Sequence, residues 1–165
     1  MRERLTARVL LFDQDGRILL MRGRLTAEAP SFWFTVGGGV DEGESLEAAA
    51  LREVAEESGF TQVELGPVVW LRASPLTLYG GELVLLRESY FVARCLGGDP
   101  SRAAWEAHEV ELMDEMRWWS PEEIAASQEM IYPERLRELL PDLVEGRFPD
   151  TPLEISVALP VMNVI

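Results

Sequence analysis

The chain has 165 residues, 47% of them hydrophobic, so it is long enough to bury a core, and one domain over residues 1–165 is the default expectation. It carries 29 acidic against 15 basic residues, a net charge of −14 at pH 7. This charge disfavours non-specific attraction to nucleic acids and anionic membranes, because both are polyanions. We therefore expect neither as a partner, whereas a small phosphorylated ligand accompanied by a cation is compatible with the charge.

One cysteine, Cys95, and one histidine, His108, cannot form a disulfide within the chain or the usual nitrogen-and-sulfur zinc site. This usage predicts a reducing, cytoplasmic location. The apolar run at residues 9–12 is too short for a secretory signal or a membrane span, and no targeting segment is expected. Neither Cys95 nor His108 has a visible partner, so we assign neither a catalytic role.

Short β-prone runs open the chain. ARVLLF and RILLMR flank DQDG, whose Asp15-Gly16 pair favours a tight reversal, so residues 7–22 are predicted to form a hairpin. SFWFTV then predicts a strand that ends in a glycine cluster. From Ser45 to Ser58 the pattern becomes helical, with Ser45 suited to cap the helix and Gly59 to stop it. The apolar stripe of this helix consists of Leu46, Ala49, Ala50 and Val54.

The second half of the chain predicts three more strands and two more helices. VELGPVVWLRA and ELVLLRESYFVARC flank a YGG turn at residues 79–81, and after a polar loop MRWWS predicts another strand. Ser120 and Pro121 begin a helix, and residues 133–145 predict the next. The apolar tail, residues 150–165, either packs on the domain, the simpler interpretation, or forms a homodimer contact. Together these elements predict an α/β domain with helices on the faces of a mixed sheet.

Residues 37–60, GGGVDEGESLEAAALREVAEESGF, hold seven carboxylates and no histidine or cysteine. On a helix Glu53 shares a face with Glu56 and Glu57, because positions three and four apart are neighbours. Like charges at this spacing cost about 0.2–0.5 kcal/mol per pair. Charge alone leaves two interpretations open: a functional cluster, or a solvated helix in an acidic protein.

The order of the residues decides between them. Gly38 is followed after five residues by Glu44, and after seven more by Arg52-Glu53. The run ends with Val54, Ala55, Glu56, Glu57, Ser58, Gly59 and Phe60. This order resembles the box of the Nudix hydrolase superfamily, with all seven fixed identities present over residues 38–60. Phe60 and Val36 depart from the commonest residues without touching the chemistry. The resemblance implies an α/β/α sandwich around a mixed sheet.

The resemblance also implies a metal site. In this family the ligands are the glutamates matching Glu53, Glu56 and Glu57, often helped by a backbone carbonyl, here of Gly37 or Gly38. The implied cofactor is Mg²⁺ or Mn²⁺, because hard divalent cations prefer oxygen ligands. The implied reaction is hydrolysis of a phosphoanhydride in a nucleoside diphosphate joined to another moiety.

For catalysis we expect Arg52 to orient Glu53 and Glu44 to act as an auxiliary carboxylate. Glu53 is the first choice for the base that activates water, because a matching residue serves in some relatives. Other relatives use a glutamate from a later loop, where the candidates are Glu106, Glu109, Glu111 and Glu115.

Substrate choice stays open between nucleoside triphosphates, ADP-ribose and nucleotide sugars. Relatives acting on ADP-ribose often have a proline about fifteen residues past the box, where Pro75 lies, and Tyr79 slightly misses the tyrosine typical of relatives that cleave dinucleoside polyphosphates. From other classes, a non-catalytic nucleotide sensor is one alternative. A second is the isoprenoid isomerase branch, which needs a catalytic cysteine, here Cys95.

Some side chains outside the box are further candidates. At most one of Trp118 and Trp119 can face a given cleft, because adjacent strand residues point opposite ways. Two of the three residues 32–34 are expected in the core. Four arginines are candidate phosphate partners, with ordinary surface positions as the simpler interpretation: Arg22, Arg24, Arg72 and Arg87.

Overall fold

A computed structural model describes residues 1–78, 80–105, 112–157 and 162–163 of the chain. Within these residues the strands are β1 (Arg2–Phe12), β2 (Ile18–Gly23), β3 (Phe32–Gly39), β4 (Glu64–Thr77), β5 (Leu83–Arg94), β6 (Met113–Trp119), β7 (Leu153–Glu154) and β8 (Met162–Asn163). The helices are α1 (Leu46–Ser58), α2 (Pro121–Ala126) and α3 (Leu136–Val144).

The strands form one mixed sheet in the order β6-β2-β3-β1-β5-β4-β7, and β8 also pairs with β4. The central pair, β1 and β5, is parallel from Arg2↔Val84 to Phe12↔Arg94. Antiparallel pairing flanks it, through β3 on one side and β4 on the other. The predicted mixed sheet is confirmed.

Helices cover both faces of the sheet. On one face α1 buries Ala50 and Val54 against Val9 and Leu11 of β1. On the other face Leu140 of α3 joins a core that contains the large aromatic residues of the sheet, among them Trp33, Trp70 and Trp119. The predicted α/β/α sandwich is therefore confirmed. None of the helices in the described ranges is long and apolar enough to cross a membrane.

The opening hairpin is present, with Phe12 opposite Ile18. The Asp13 carboxylate accepts hydrogen bonds from the amides of Asp15 and Arg17, each at 2.9 Å, and Gly16 takes a φ of +74°. β1 starts at Arg2, earlier than predicted, because it pairs with β5 along its whole length.

The later elements differ from the prediction mainly at their ends. β4 runs on to Thr77 and β6 starts at Met113, because each keeps pairing with a neighbouring strand. The Ser120 cap is confirmed, since its hydroxyl accepts from the Glu123 amide at 3.1 Å. α3 is shorter than the predicted 133–145. Of the YGG turn, Tyr79 lies outside the described residues, and the Gly81 amide donates to the Leu78 carbonyl at 2.9 Å.

The described part of the tail packs on the domain. β7 pairs in parallel with β4 at Trp70↔Leu153, and β8 pairs with it at Leu76↔Met162. Ile155 is buried, and its amide donates to the Leu71 carbonyl at 2.8 Å. A homodimer contact stays a prediction.

Candidate active site

A cavity of about 670 Å³ brings together residues that are far apart in the sequence. This volume lies within the roughly 300–1,000 Å³ typical of small-molecule sites. One end, which we call the acidic end, is lined by the glycine cluster and α1: Gly37, Gly38, Asp41, Arg52, Glu53, Glu56 and Glu57. The expected metal ligands therefore share one cavity. Glu44 is not part of the described cavity wall but binds Arg52, which is.

Helix α1 presents these carboxylates on one face. The Ser45 hydroxyl caps the helix by accepting from the Ala48 amide at 3.1 Å. At the other end Gly59 adopts a left-handed φ of +81°, and its amide donates to the Ala55 carbonyl at 2.9 Å. Both predicted ends are confirmed. Glu53 and Glu57 share the helix face of the apolar stripe, because they lie three residues after Ala50 and Val54, so the face that packs on the sheet also carries these carboxylates into the cavity.

Arg52 organises the acidic end. Its Nε and Nη2 bind the two oxygens of Glu44 at 2.7 and 2.9 Å. Its Nη1 donates to Glu53 Oε1 at 2.9 Å and to Glu56 Oε2 at 3.2 Å, and its Nη2 donates to the Gly39 carbonyl at 2.9 Å. One guanidinium thus holds three carboxylates and the glycine cluster in register. The expected contact between Arg52 and Glu53 is present.

The pKa values of two carboxylates at this end are shifted in opposite directions. The hydrogen bonds from Arg52 lower the pKa of Glu44 to about 2. Burial raises the pKa of Glu53 above its ordinary value, outweighing the hydrogen bond from Arg52. Environments that separate the pKa values of neighbouring carboxylates separate their roles. Glu53 is thereby suited to exchange a proton, and Glu44 to stay charged.

The glycines allow an approach that other residues would prevent. A Cβ on Gly38 would lie 2.6 Å from Glu53 Oε1, and one on Gly37 would lie 2.2 Å from the Ala7 carbonyl oxygen. Gly37 also has a φ of +141°, and its amide donates to Glu57 Oε2 at 3.0 Å. Two glutamates of α1 therefore lie directly against the backbone of β3.

The donors at the acidic end suit a divalent cation in their chemistry but are not arranged as a cage. No group of three or more acidic, histidine or cysteine side chains forms a ready-made cage among the described residues. In this arrangement Arg52 holds Glu53 and Glu56, while Gly37 holds Glu57. The set still fits Mg²⁺ or Mn²⁺ in its chemistry, because its donors are carboxylate oxygens beside backbone carbonyls. The Glu56 side chain is 52% exposed, and an exposed ion pair with Arg52 is easily exchanged.

The opposite end, which we call the aromatic end, is lined by Phe32, Phe34 and Tyr132. The ring centroid of Phe32 lies 5.5 Å from that of Phe34 and 5.4 Å from that of Tyr132. Of residues 32–34, Trp33 is fully buried and Phe34 packs, partly buried, against a core cluster, so two of the three contact the core as expected, although Phe34 also lines the cavity. Strand alternation puts Phe32 and Phe34 on the cavity side of β3 and Trp33 on the other.

The cavity wall also contains a buried ionic network. Glu88 accepts from Arg72 Nη1 at 2.6 Å and from Arg8 Nε at 3.1 Å, and Arg72 Nη2 binds Glu134 at 3.1 Å. The interpretation of Arg72 as an ordinary surface arginine is wrong, because it is 8% exposed and lines the cavity. The sequence prediction also missed Arg8 and Glu88. Charged residues inside otherwise apolar strands were the available signal.

Similarity to known proteins identifies the family of the chain. The family model of the NUDIX domain matches residues 2–143. The chain belongs to the Nudix family. An RNA pyrophosphohydrolase of Novosphingobium aromaticivorans is 30% identical over 125 residues, which cover 70% of this chain and 76% of that protein. The RNA pyrophosphohydrolase of Caulobacter vibrioides strain NA1000 / CB15N is 57% identical over 58 residues, 34% of this chain, and the match spans only 33% of that relative's length.

A solved structure supports the fold assignment. The MutT protein from Methanosarcina mazei Go1 superposes with a TM-score of 0.62 at 20% identity, over 88% of this chain and 95% of that one. The Nudix fold therefore holds even where sequence identity is low.

The other candidates of this Nudix chain are scattered. Arg24 lines the cavity and pairs with Asp114 at 3.2 Å, which Arg22 also binds at 2.8 Å. Arg87 is half exposed and binds Glu3 at 2.9 Å. Pro75 lines the cavity. Within the described residues, the cavity wall includes none of Trp118, Trp119 and Cys95. Burial raises the pKa of the Cys95 thiol, which disfavours a reactive thiolate.

Of the later-loop glutamates, only Glu115 falls within the described residues. It binds Arg22 at 3.3 Å and does not belong to the cavity wall that those residues form. Tyr79, Glu106, His108, Glu109 and Glu111 lie outside the described residues.

Proposed function

We propose that this Nudix protein hydrolyses phosphoanhydride bonds in nucleotide substrates with the help of Mg²⁺ or Mn²⁺. The observation that carries the proposal is a single cavity with the Nudix glutamates at one end and three aromatic rings at the other. The first end suits a diphosphate and its cation, and the second suits a nucleobase.

Glu53, Glu56 and Glu57, with the Gly37 or Gly38 carbonyl, would hold the cation. When bound, a divalent cation neutralises the diphosphate oxygens and the charge that develops on the leaving phosphate. Glu53 takes a proton from the attacking water, consistent with its raised pKa. Arg52 keeps Glu53 oriented, and ionised Glu44 keeps Arg52 in place.

The aromatic end supplies stacking surface. A base stacked on an aromatic side chain gains about 1–3 kcal/mol, and every base has a π-face that can stack. Phe32 and Tyr132 line this end, so they are the candidate stacking partners. Such contacts bind a nucleotide without selecting one base.

Two substrate classes follow. Free nucleotides, including nucleoside triphosphates, ADP-ribose and nucleotide sugars, suit the charge of −14, which disfavours long nucleic-acid contacts. RNA is favoured by the names of the Novosphingobium and Caulobacter relatives. Internal RNA linkages are phosphodiesters, so only a 5′-polyphosphate offers a phosphoanhydride. Such a substrate needs only its 5′ end inside the cavity, and the absence of a nucleic-acid partner stays a prediction.

A substrate panel tests the proposal. Purified protein is given Mg²⁺, Mn²⁺ or chelator with nucleoside triphosphates, ADP-ribose, a nucleotide sugar and RNA bearing a 5′-triphosphate, and the products are identified. We expect cation-dependent release of phosphate, pyrophosphate or nucleoside monophosphate from one class. Glu57→Gln should abolish it, whereas Glu47→Gln, at an exposed position near the start of α1, should not. Tight nucleotide binding without turnover by the native protein would favour the sensor alternative.

A further inference from the structure

The ionic network in the cavity wall centres on Glu88, which is 5% exposed. Its Oε1 accepts from Arg72, and its Oε2 accepts from Arg8 at 3.1 Å and from the Tyr90 hydroxyl at 3.4 Å. Arg8 lies on β1 and Glu88 on β5, so this ion pair crosses the parallel centre of the sheet. A buried carboxylate with three donors holds its partners in fixed positions.

Arg8 passes this restraint to the glycine cluster. While its Nε binds Glu88, its Nη1 donates to the Gly37 carbonyl at 2.9 Å and to the Thr35 carbonyl at 3.5 Å. The planar guanidinium has the donors needed to hold a carboxylate and a carbonyl at once. The position of Gly37 is thereby tied to that of Glu88.

Gly37 in turn holds Glu57. Its amide donates to Glu57 Oε2 at 3.0 Å, while its carbonyl accepts from Arg8. The backbone here is tightly enclosed, since a Cβ on Gly37 would lie 2.7 Å from the Arg8 Cα. A continuous series of hydrogen bonds therefore runs from Glu88 through Arg8 and Gly37 to Glu57.

We propose that Arg8, anchored by Glu88, is a positioning residue that sets the Gly37 backbone and through it the Glu57 carboxylate for cation binding. This inference rests on the proposed function, because it takes Glu57 as a metal ligand. Groups that orient metal ligands without touching the metal typically change affinity by about 10–100-fold when altered. Arg8 and Glu88 stand in that relation to Glu57.

Two conservative variants test the inference. Arg8→Lys keeps the charge but loses the fork that holds Glu88 and Gly37 together. Glu88→Asp keeps the carboxylate but shortens its reach, and it serves if Arg8→Lys does not fold. Arg87→Lys is the matched control, because Arg87 forms an ion pair of similar length with Glu3 across the same two strands, at a half-exposed position outside the described cavity wall.

The readouts are Mn²⁺ affinity by calorimetry, hydrogen exchange of the Gly37 amide in metal-free protein, and kcat and KM. For Arg8→Lys and Glu88→Asp we expect Mn²⁺ affinity to fall by about tenfold or more. The Gly37 amide should exchange faster, and kcat at fixed Mn²⁺ should fall more than KM rises. Arg87→Lys should match the native protein in every readout.

The outcomes separate the inference from the proposed function. Unchanged Mn²⁺ affinity with a raised KM in Arg8→Lys would make Arg8 a substrate contact and overturn the inference. A native protein that binds no Mn²⁺ and hydrolyses nothing would defeat the proposed function. In that case Gly37 exchange still decides whether Arg8 positions the glycine backbone, and unchanged exchange in both variants refutes it.

Discussion

The two ends of the cavity are built in different ways. The acidic end comes from one continuous stretch, residues 37–57, whose turn and helix are specified locally by Ser45 and Gly59. The aromatic end and the ionic network come from separate strands and from the segment that contains Tyr132 and Glu134. A reaction centre written in contiguous sequence is recognisable as a motif. A binding surface assembled by tertiary contacts is not.

This contrast makes kinetic predictions, and the largest concerns the base. Glu53→Gln should lower kcat by about 10²–10⁴-fold, the usual contribution of general acid–base catalysis, with little change in KM. Glu115→Gln, outside the described cavity wall, is the matched control and should leave kcat unchanged. Steady-state kinetics at saturating Mg²⁺ measures both. A larger loss in the Glu115 variant would move the base to the later segment.

The ionic network predicts a stability effect. Arg72→Met leaves Glu88 buried with one partner fewer, so the free energy of unfolding should fall by about 3–5 kcal/mol. Arg2→Met breaks the exposed Arg2–Glu82 pair, in which both side chains are more than half exposed, and should leave the free energy of unfolding nearly unchanged. Urea denaturation compares the two variants. Equal, small losses would mean that the buried network does not stabilise the fold.

A smaller effect is expected at the aromatic end. Phe32→Leu keeps an apolar side chain but removes a stacking face, so KM should rise by the equivalent of about 1–3 kcal/mol while kcat holds. Phe148→Leu, at a partly exposed ring outside this cavity, should change neither constant. Initial rates over a range of substrate concentrations separate these outcomes. A fall in kcat alone would mean that Phe32 contributes to the chemical step, and the two ends of the cavity would then not differ in role.

The smallest effect is expected at Glu44. Because the pKa of Glu44 is lowered from 4.5 to about 2, its carboxylate stays ionised from mildly acidic to alkaline pH. Glu44→Gln should therefore lower kcat severalfold and by the same factor at mildly acidic, neutral and alkaline pH. Any stability from the Arg52 pair is present above about pH 4.5 and is lost as the pH falls towards 2. Values of kcat for the native protein and for Glu44→Gln, measured from mildly acidic to alkaline pH, check the prediction. A loss of kcat that appears only at acidic pH would contradict it.

The sequence predicted those features that depend on neighbours along the chain. Ser45 and Gly59 set both ends of α1, and the Asp15-Gly16 turn set the first hairpin. The order of residues 38–60 gave the sandwich through its resemblance to the Nudix box, and the fold comparison bears this out. Each of these signals lies within about two dozen residues.

What the sequence did not predict depends on partners distant in the chain. Arg8 and Glu88 are 80 residues apart, and only the parallel pairing of β1 with β5 brings them together. Arg72 looked like a surface arginine until its partners Glu88 and Glu134 were known. Nor did the sequence show that Phe32 and Phe34 line the cavity, because alternation fixes which residues share a face but not which face meets a cavity.

The antiparallel β4–β5 pair carries a consequence for redesign of the cavity. This one hairpin supplies seven residues of the cavity wall and none of the Nudix box: Arg72, Ser74, Pro75, Leu76, Leu86, Glu88 and Tyr90. Exchanging it as a cassette would alter ligand preference while sparing the hydrolytic apparatus. Any such chimera must preserve the β1–β5 pairing and, within it, the ion pair between Arg8 and Glu88 that joins the hairpin to the strand beside the Nudix box.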